Sequence, residues 1–95
     1  MSKAVSFLKA DLDYITILHV PGIEEKAVIP LFERGIFYFY QILGSYLHCN
    51  GDRDKFFPEG KDIEGVVMNE VYNMVRRKFK ILNAHWGIKM GKSYL

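Results

Sequence analysis

The chain is poor in cysteine, in proline and in long apolar runs, and each shortage removes a class of protein. Its single cysteine, Cys49, leaves no disulfide framework within the chain and points to a reducing compartment. Unbroken apolar stretches such as Ile36 to Tyr40 fall far short of the ~20 residues that span a bilayer, so no transmembrane helix is expected. Met1-Ser2-Lys3, leading through Ala4–Leu8 to Lys9-Ala10-Asp11, is too short and too polar for a secretory signal. With three prolines and no run rich in Gly, Ser and Pro, there is no linker, and no repeat or low-complexity segment interrupts the chain. The 95 residues therefore read as one domain, 1–95.

What is present is the balance of a globular chain: 49% apolar and 25% charged residues, too apolar for disorder. Size scaling gives an unfolded surface of roughly 16,000 Å² and a folded one of about 5,700 Å², so a single thin core is expected. The net charge of +2 hides an asymmetry. Residues 1–65 carry seven Lys/Arg and ten Asp/Glu, net −3, whereas residues 66–95 carry six Lys/Arg and one Glu, net +5. A basic segment on a mildly acidic body points to an anionic partner, nucleic acid first. The competing reading is a solvated helix face that balances the acidic part.

Ser2 is placed to cap a short helix over 2–9. Tyr14–Val20 is apolar and β-branched, which by local propensity predicts a strand ended by Pro21-Gly22. Glu24–Arg34 reads as a helix, with Ala27, Val28, Leu31 and Phe32 at helical spacing, Pro30 shortening or kinking it and Gly35 stopping it. Ile36–Cys49 opens on aromatics that suit a strand and continues with helical spacing. Asn50-Gly51-Asp52 is a turn, and 52–64 is irregular or holds a short helix. Val66–His85 is the clearest helix, with Val67, Val71, Met74, Val75, Phe79 and Leu82 on one side and Arg76, Arg77, Lys80 and Asn83 elsewhere. Trp86 is expected to anchor it, and the tail Gly87–Leu95 to fray.

Val20-Pro21-Gly22-Ile23, a helix, Gly35-Ile36 and a second apolar helix outline a helix-hairpin-helix over about 14–35. Such a turn exposes backbone N–H groups at a helix N-terminus, where they receive a phosphate. From Phe7 through Gly22-Ile23, Leu31, Glu33-Arg34-Gly35, Tyr40, Leu43-Gly44, Leu47 and Asp52 to Phe56, the chain resembles the barrier-to-autointegration factor (BAF) family without a gap. The resemblance fades after residue 65. It implies an all-α, small five-helix SAM-like domain and a homodimer that binds and bridges double-stranded DNA in chromatin. It also turns Tyr14–Val20 into the first helix of the hairpin and Ile36–His48 into a helix. Lys3 then matches a DNA-contacting lysine and Lys61 a second basic position. Leu43, Gly44 and Leu47 match the dimer interface.

Two departures bear on the site. Glu24 stands where the family has a second glycine, and Glu25 follows it. A carboxylate there repels phosphate by about 1 kcal/mol at 4 Å in water and about 4 near a protein surface, and Lys26 offsets it in part. Pro30 replaces part of a lysine-rich helix.

No Ser/His/Asp set, phosphate loop or paired-carboxylate motif stands out, so an enzyme is not expected and no cofactor is implied. His48-Cys49, His19 and His85 lack metal-ligand spacing, so no metal is expected. Phe37–Tyr40 could stack on bases, but on a helix such aromatics serve a core or a dimer. The expected function is sequence-independent duplex DNA binding and bridging by a dimer, through Lys3, Gly22, Ile23, Glu24, Lys26 and Lys61. The alternative is a BAF-like module that has lost DNA binding and pairs with itself, with a family member or with a partner peptide. Either would work inside the cell, in nucleus or cytoplasm; the nuclear address is implied only by the resemblance, since Arg76-Arg77-Lys78 with Lys80 is a short basic cluster and a weak localisation signal.

Overall fold

A computed structural model of the chain describes residues 2–11 and 15–90, of which 85–90 are described in backbone only. It is all-α: helices α1 (Lys3–Lys9), α2 (Val28–Glu33), α3 (Phe39–His48) and α4 (Met68–Met90) are joined by one-turn 3-10 helices at Ile17–His19, Glu25–Ala27, Arg53–Lys55 and Pro58–Gly60. Among the described residues four α-helices stand where five were expected, and the 3-10 turn Ile17–His19 lies where the first helix of the hairpin was expected. Among the described residues no helix is long and apolar enough to cross a membrane.

Local chemistry sets most boundaries. The Ser2 hydroxyl accepts from the Val5 N–H at 3.2 Å and opens α1. Helix α2 begins only at Val28, so that Pro30 falls in its first turn, where a missing N–H costs nothing. Gly35, at φ +80°, closes it: the Gly35 N–H donates to Phe32 O and the Ile36 N–H to Leu31 O, a Schellman pair.

Three expectations are corrected. No strand forms at 15–20. Thr16 makes a single bridge with Tyr38, after which the chain turns through Ile17–His19; Tyr14 lies outside the described residues. Residues 36–38 are extended rather than helical. The Ile17 N–H donates to Phe37 O, the Phe39 N–H donates to Ile15 O, and the Gln41 side chain accepts from the Phe37 and Tyr38 N–H groups. The tail expected to fray is helical as far as Met90, and 91–95 lie outside the described residues.

The core gathers Phe7, Ile17, Val20, Leu31, Phe39, Ile42, Phe56, Val71 and Val75. Phe7 meets Phe39 edge to face, with centroids 4.9 Å apart. Val67, expected on the apolar side of the last helix, is instead about half exposed just before α4. Lys78 joins the core in its stead. It is 2% exposed and donates to the carbonyls of Phe7 (2.9 Å), Leu8 (3.0 Å) and Ala10 at the open C-terminal end of α1. Burial lowers its pKa below the ordinary lysine value, against the pull of Asp11.

Candidate nucleic-acid interface

The hairpin segment is a tight turn, Val20–Glu24, held against the N-terminal end of α4. Gly22 sits at φ +97°. A Cβ there would lie 2.7 Å from Val71 Cγ2, 2.8 Å from Val71 N and 3.0 Å from Val67 O. Glycine is thus demanded by packing on the chain's own helix. The Gly22 carbonyl accepts from the Val67 N–H at 2.7 Å, the Glu24 N–H donates to Gly65 O at 2.8 Å, and Ile23 bridges Val66.

The fold brings Lys3, Gly22, Ile23, Glu24 and Lys26 together, since the Lys3 ammonium donates to Ile23 O at 3.2 Å. Lys61 is tied instead to the Asp54 carbonyl of the Arg53–Lys55 turn. The backbone donors of the turn are partly consumed. The Ile23 N–H is bonded to Val20 O and that of Glu24 to Gly65 O, while those of Gly22, Glu25 and Lys26 have no intrachain acceptor among the described contacts. The local charge is unfavourable. Lys26 lies 3.9 Å from Glu24 and 3.3 Å from Glu64. Glu25 follows Glu24 in the chain, so the segment carries more acidic than basic groups around Lys26.

A second surface is more uniformly charged. Asn73, Arg76, Arg77 and Lys80 recur three and four apart on α4, are exposed, and line a shallow cleft of about 240 Å³. Arg53 joins them from across the chain. Its Nη2 donates to Asn73 Oδ1 at 3.4 Å and its guanidinium lies 4.7 Å from the centroid of the Tyr72 ring. Both ion pairs among the described residues belong to Lys26; Arg76, Arg77, Lys80 and Arg53, which lies between Asp52 and Asp54 in its turn, form neither. The only carboxylate on α4 is Glu70, at its N-terminal end. Lys78, counted with this cluster in sequence, faces the core. Arg53 went unnoticed there because twenty residues separate it from Asn73.

The expected dimer residues are placed differently from one another. Leu43 is buried in its own chain and Leu47 is half exposed. Gly44 is exposed, with nothing within 4 Å of where a Cβ would sit, on the wall of a cavity of about 470 Å³ whose lining includes Arg34, His48, Lys55 and Glu59. His48 thus faces this cavity, and His19 Nδ1 lies 3.2 Å from the Thr16 hydroxyl. Among the described residues no three His, Cys, Asp or Glu gather as metal ligands. The side chains of His85 and Trp86 lie outside the described residues. Neither protein-family models nor curated proteins match the chain.

Proposed function

We propose that this protein binds double-stranded DNA through its phosphate backbone, without reading sequence, and bridges duplexes as a dimer, in the manner implied by its resemblance to the BAF family. The observation that carries the reading is the basic face of Arg76, Arg77 and Lys80, joined by Arg53. Guanidinium forks suit phosphate oxygens and read no base edge. The hairpin takes a secondary part, with the Lys3 ammonium and the N–H groups of Gly22, Glu25 and Lys26 as donors at a helix start.

A specific observation favours a second reading. Glu24, Glu25 and Glu64 crowd the hairpin, as expected of a dimerising interaction module that has lost phosphate binding there. A mobility shift with random-sequence duplex at several salt concentrations separates the two. On the first reading, four phosphate contacts give a log–log salt slope of about −3.6 per chain, or roughly a hundredfold loss of affinity between about 50 and 200 mM salt. Arg76→Ala and Arg77→Ala should each reduce the slope by about one. Glu24→Gln should tighten binding about fivefold, by removing repulsion of about 1 kcal/mol. A chain that ignores DNA until Glu24 is replaced supports the second reading.

A further inference from the structure

We propose that the exposed aromatic ridge where α2 meets α3 is the surface through which two copies of this chain associate. Phe32, Phe37, Tyr38 and Tyr40 are each 43–56% exposed, in a chain whose phenylalanines at 7, 39, 56 and 57 are buried and whose Phe79 is partly so. The exposed rings are contiguous. Phe32 lies 5.1 Å from Phe37, Phe37 lies 6.5 Å from Tyr38, and Tyr38 stacks on Tyr40 at 5.4 Å with an 11° tilt. Beside them opens a groove of about 570 Å³ lined by Thr16, Ile17, Leu18, Val28, Phe32, Phe37 and Tyr38, with no charged group among them. The extended pairing of 36–38 with 15–17 holds Phe37 and Tyr38 in place, so the ridge is built by backbone hydrogen bonds rather than by a mobile loop.

The occupant follows from charge, shape and area. A lining without a cation offers a phosphate backbone no ion pair, which sets duplex DNA aside. A stacked Tyr38–Tyr40 pair next to an apolar groove places a projection and a recess on one face. A two-fold dimer uses such a face twice, the projection of each copy entering the recess of the other. Half of four aromatic side chains amounts to about 400 Å². Leu18 and Ile29, 46% and 69% exposed, add to it. The patch is then near the upper end, roughly 600 Å², of what a monomer exposes. Two such patches meet the roughly 1,000–1,200 Å² at which specific interfaces begin. The face expected from the resemblance offers less apolar area: Leu43 is spent on its own core, Gly44 has no side chain, and the cavity beside it is walled partly by charge.

This inference takes up the dimer of the proposed function and gives it a place. It does not need DNA binding, so its failure leaves that binding intact, and the reverse also holds. The test is sedimentation equilibrium on the full chain, on the double variant Phe37→Ser/Tyr40→Ser and on Gly44→Glu. The natural chain should dimerise. The ridge variant should dissociate at least about thirtyfold more readily, the effect of losing one aromatic hot spot. Gly44→Glu should weaken the dimer less. A monomer at every concentration, or a Gly44→Glu loss equal to or larger than that of the ridge variant, overturns the proposal. If the ridge variant loses its helical circular dichroism, amide shifts of the natural chain on dilution decide. Changes centred on 16–18 and 28–40 support the ridge, and changes centred on 43–47 overturn it.

Discussion

Lys78 shows how one side chain reverses the meaning of a sequence cluster. In the run Arg76-Arg77-Lys78 it counts as a surface charge, yet its ammonium closes the last carbonyls of α1. Lys78→Ala should cost about 2–4 kcal/mol, since it leaves those acceptors without a donor and opens a cavity. A fall in Tm of at least ~10 °C in a calorimetric scan checks this. The pH dependence has a definite sign. Burial lowers the Lys78 pKa below its ordinary 10.5, so in the window beneath that value the unfolded chain binds more protons. Stability from this group therefore rises as pH climbs through the folded value toward 10.5. Tyr46 acts oppositely. Burial, and then Tyr72, raise its pKa above 10.0, so its contribution is complete below 10.0 and is lost as pH rises above it. Urea titrations of the natural chain and Lys78→Met should differ by the loss of the rising limb in the variant.

At the scale of elements, the hairpin is defined by what it leans on. Gly22→Ala would drive a methyl group into Val71 and the Val67 carbonyl while forcing a positive φ on alanine. The expected loss exceeds about 2 kcal/mol of stability, measured by denaturant unfolding. A DNA-binding defect in that variant should therefore accompany a folding defect, which a phosphate-approach glycine would not require. Features written in neighbouring residues were legible in the sequence: the Ser2 cap, the stop at Gly35, the delay imposed by Pro30 and the turn at Asn50-Gly51. The strand signal at 15–20 was real in composition, but one bridge and an early turn left it no length. The candidate site was half legible. Arg76, Arg77 and Lys80 follow from helical spacing, whereas Arg53, the inward turn of Lys78 and the Lys26–Glu64 pair depend on contacts twenty or more residues apart.

For the whole molecule, the basic face of α4 and the aromatic ridge share no residue, so the proposed association and the proposed DNA binding would use separate surfaces. A bridging dimer sets one basic face on each duplex. The log–log salt slope for each duplex should therefore be about −3.6 for the dimer and about −3.6 for a monomeric ridge variant. Filter binding across a salt series reads both values. Bridging should vanish with the dimer, while binding by the single chain persists.

The bond from Lys78 to α1 also orders events in time. Protein synthesis delivers α1 some seventy residues before Lys78, so the helix leaves the ribosome well before the donor that closes its C-terminal end. Until then its last carbonyls stay in water. A nascent chain stalled before Lys78 would therefore leave the C-terminal end of α1 open while the hairpin already has the residues it leans on.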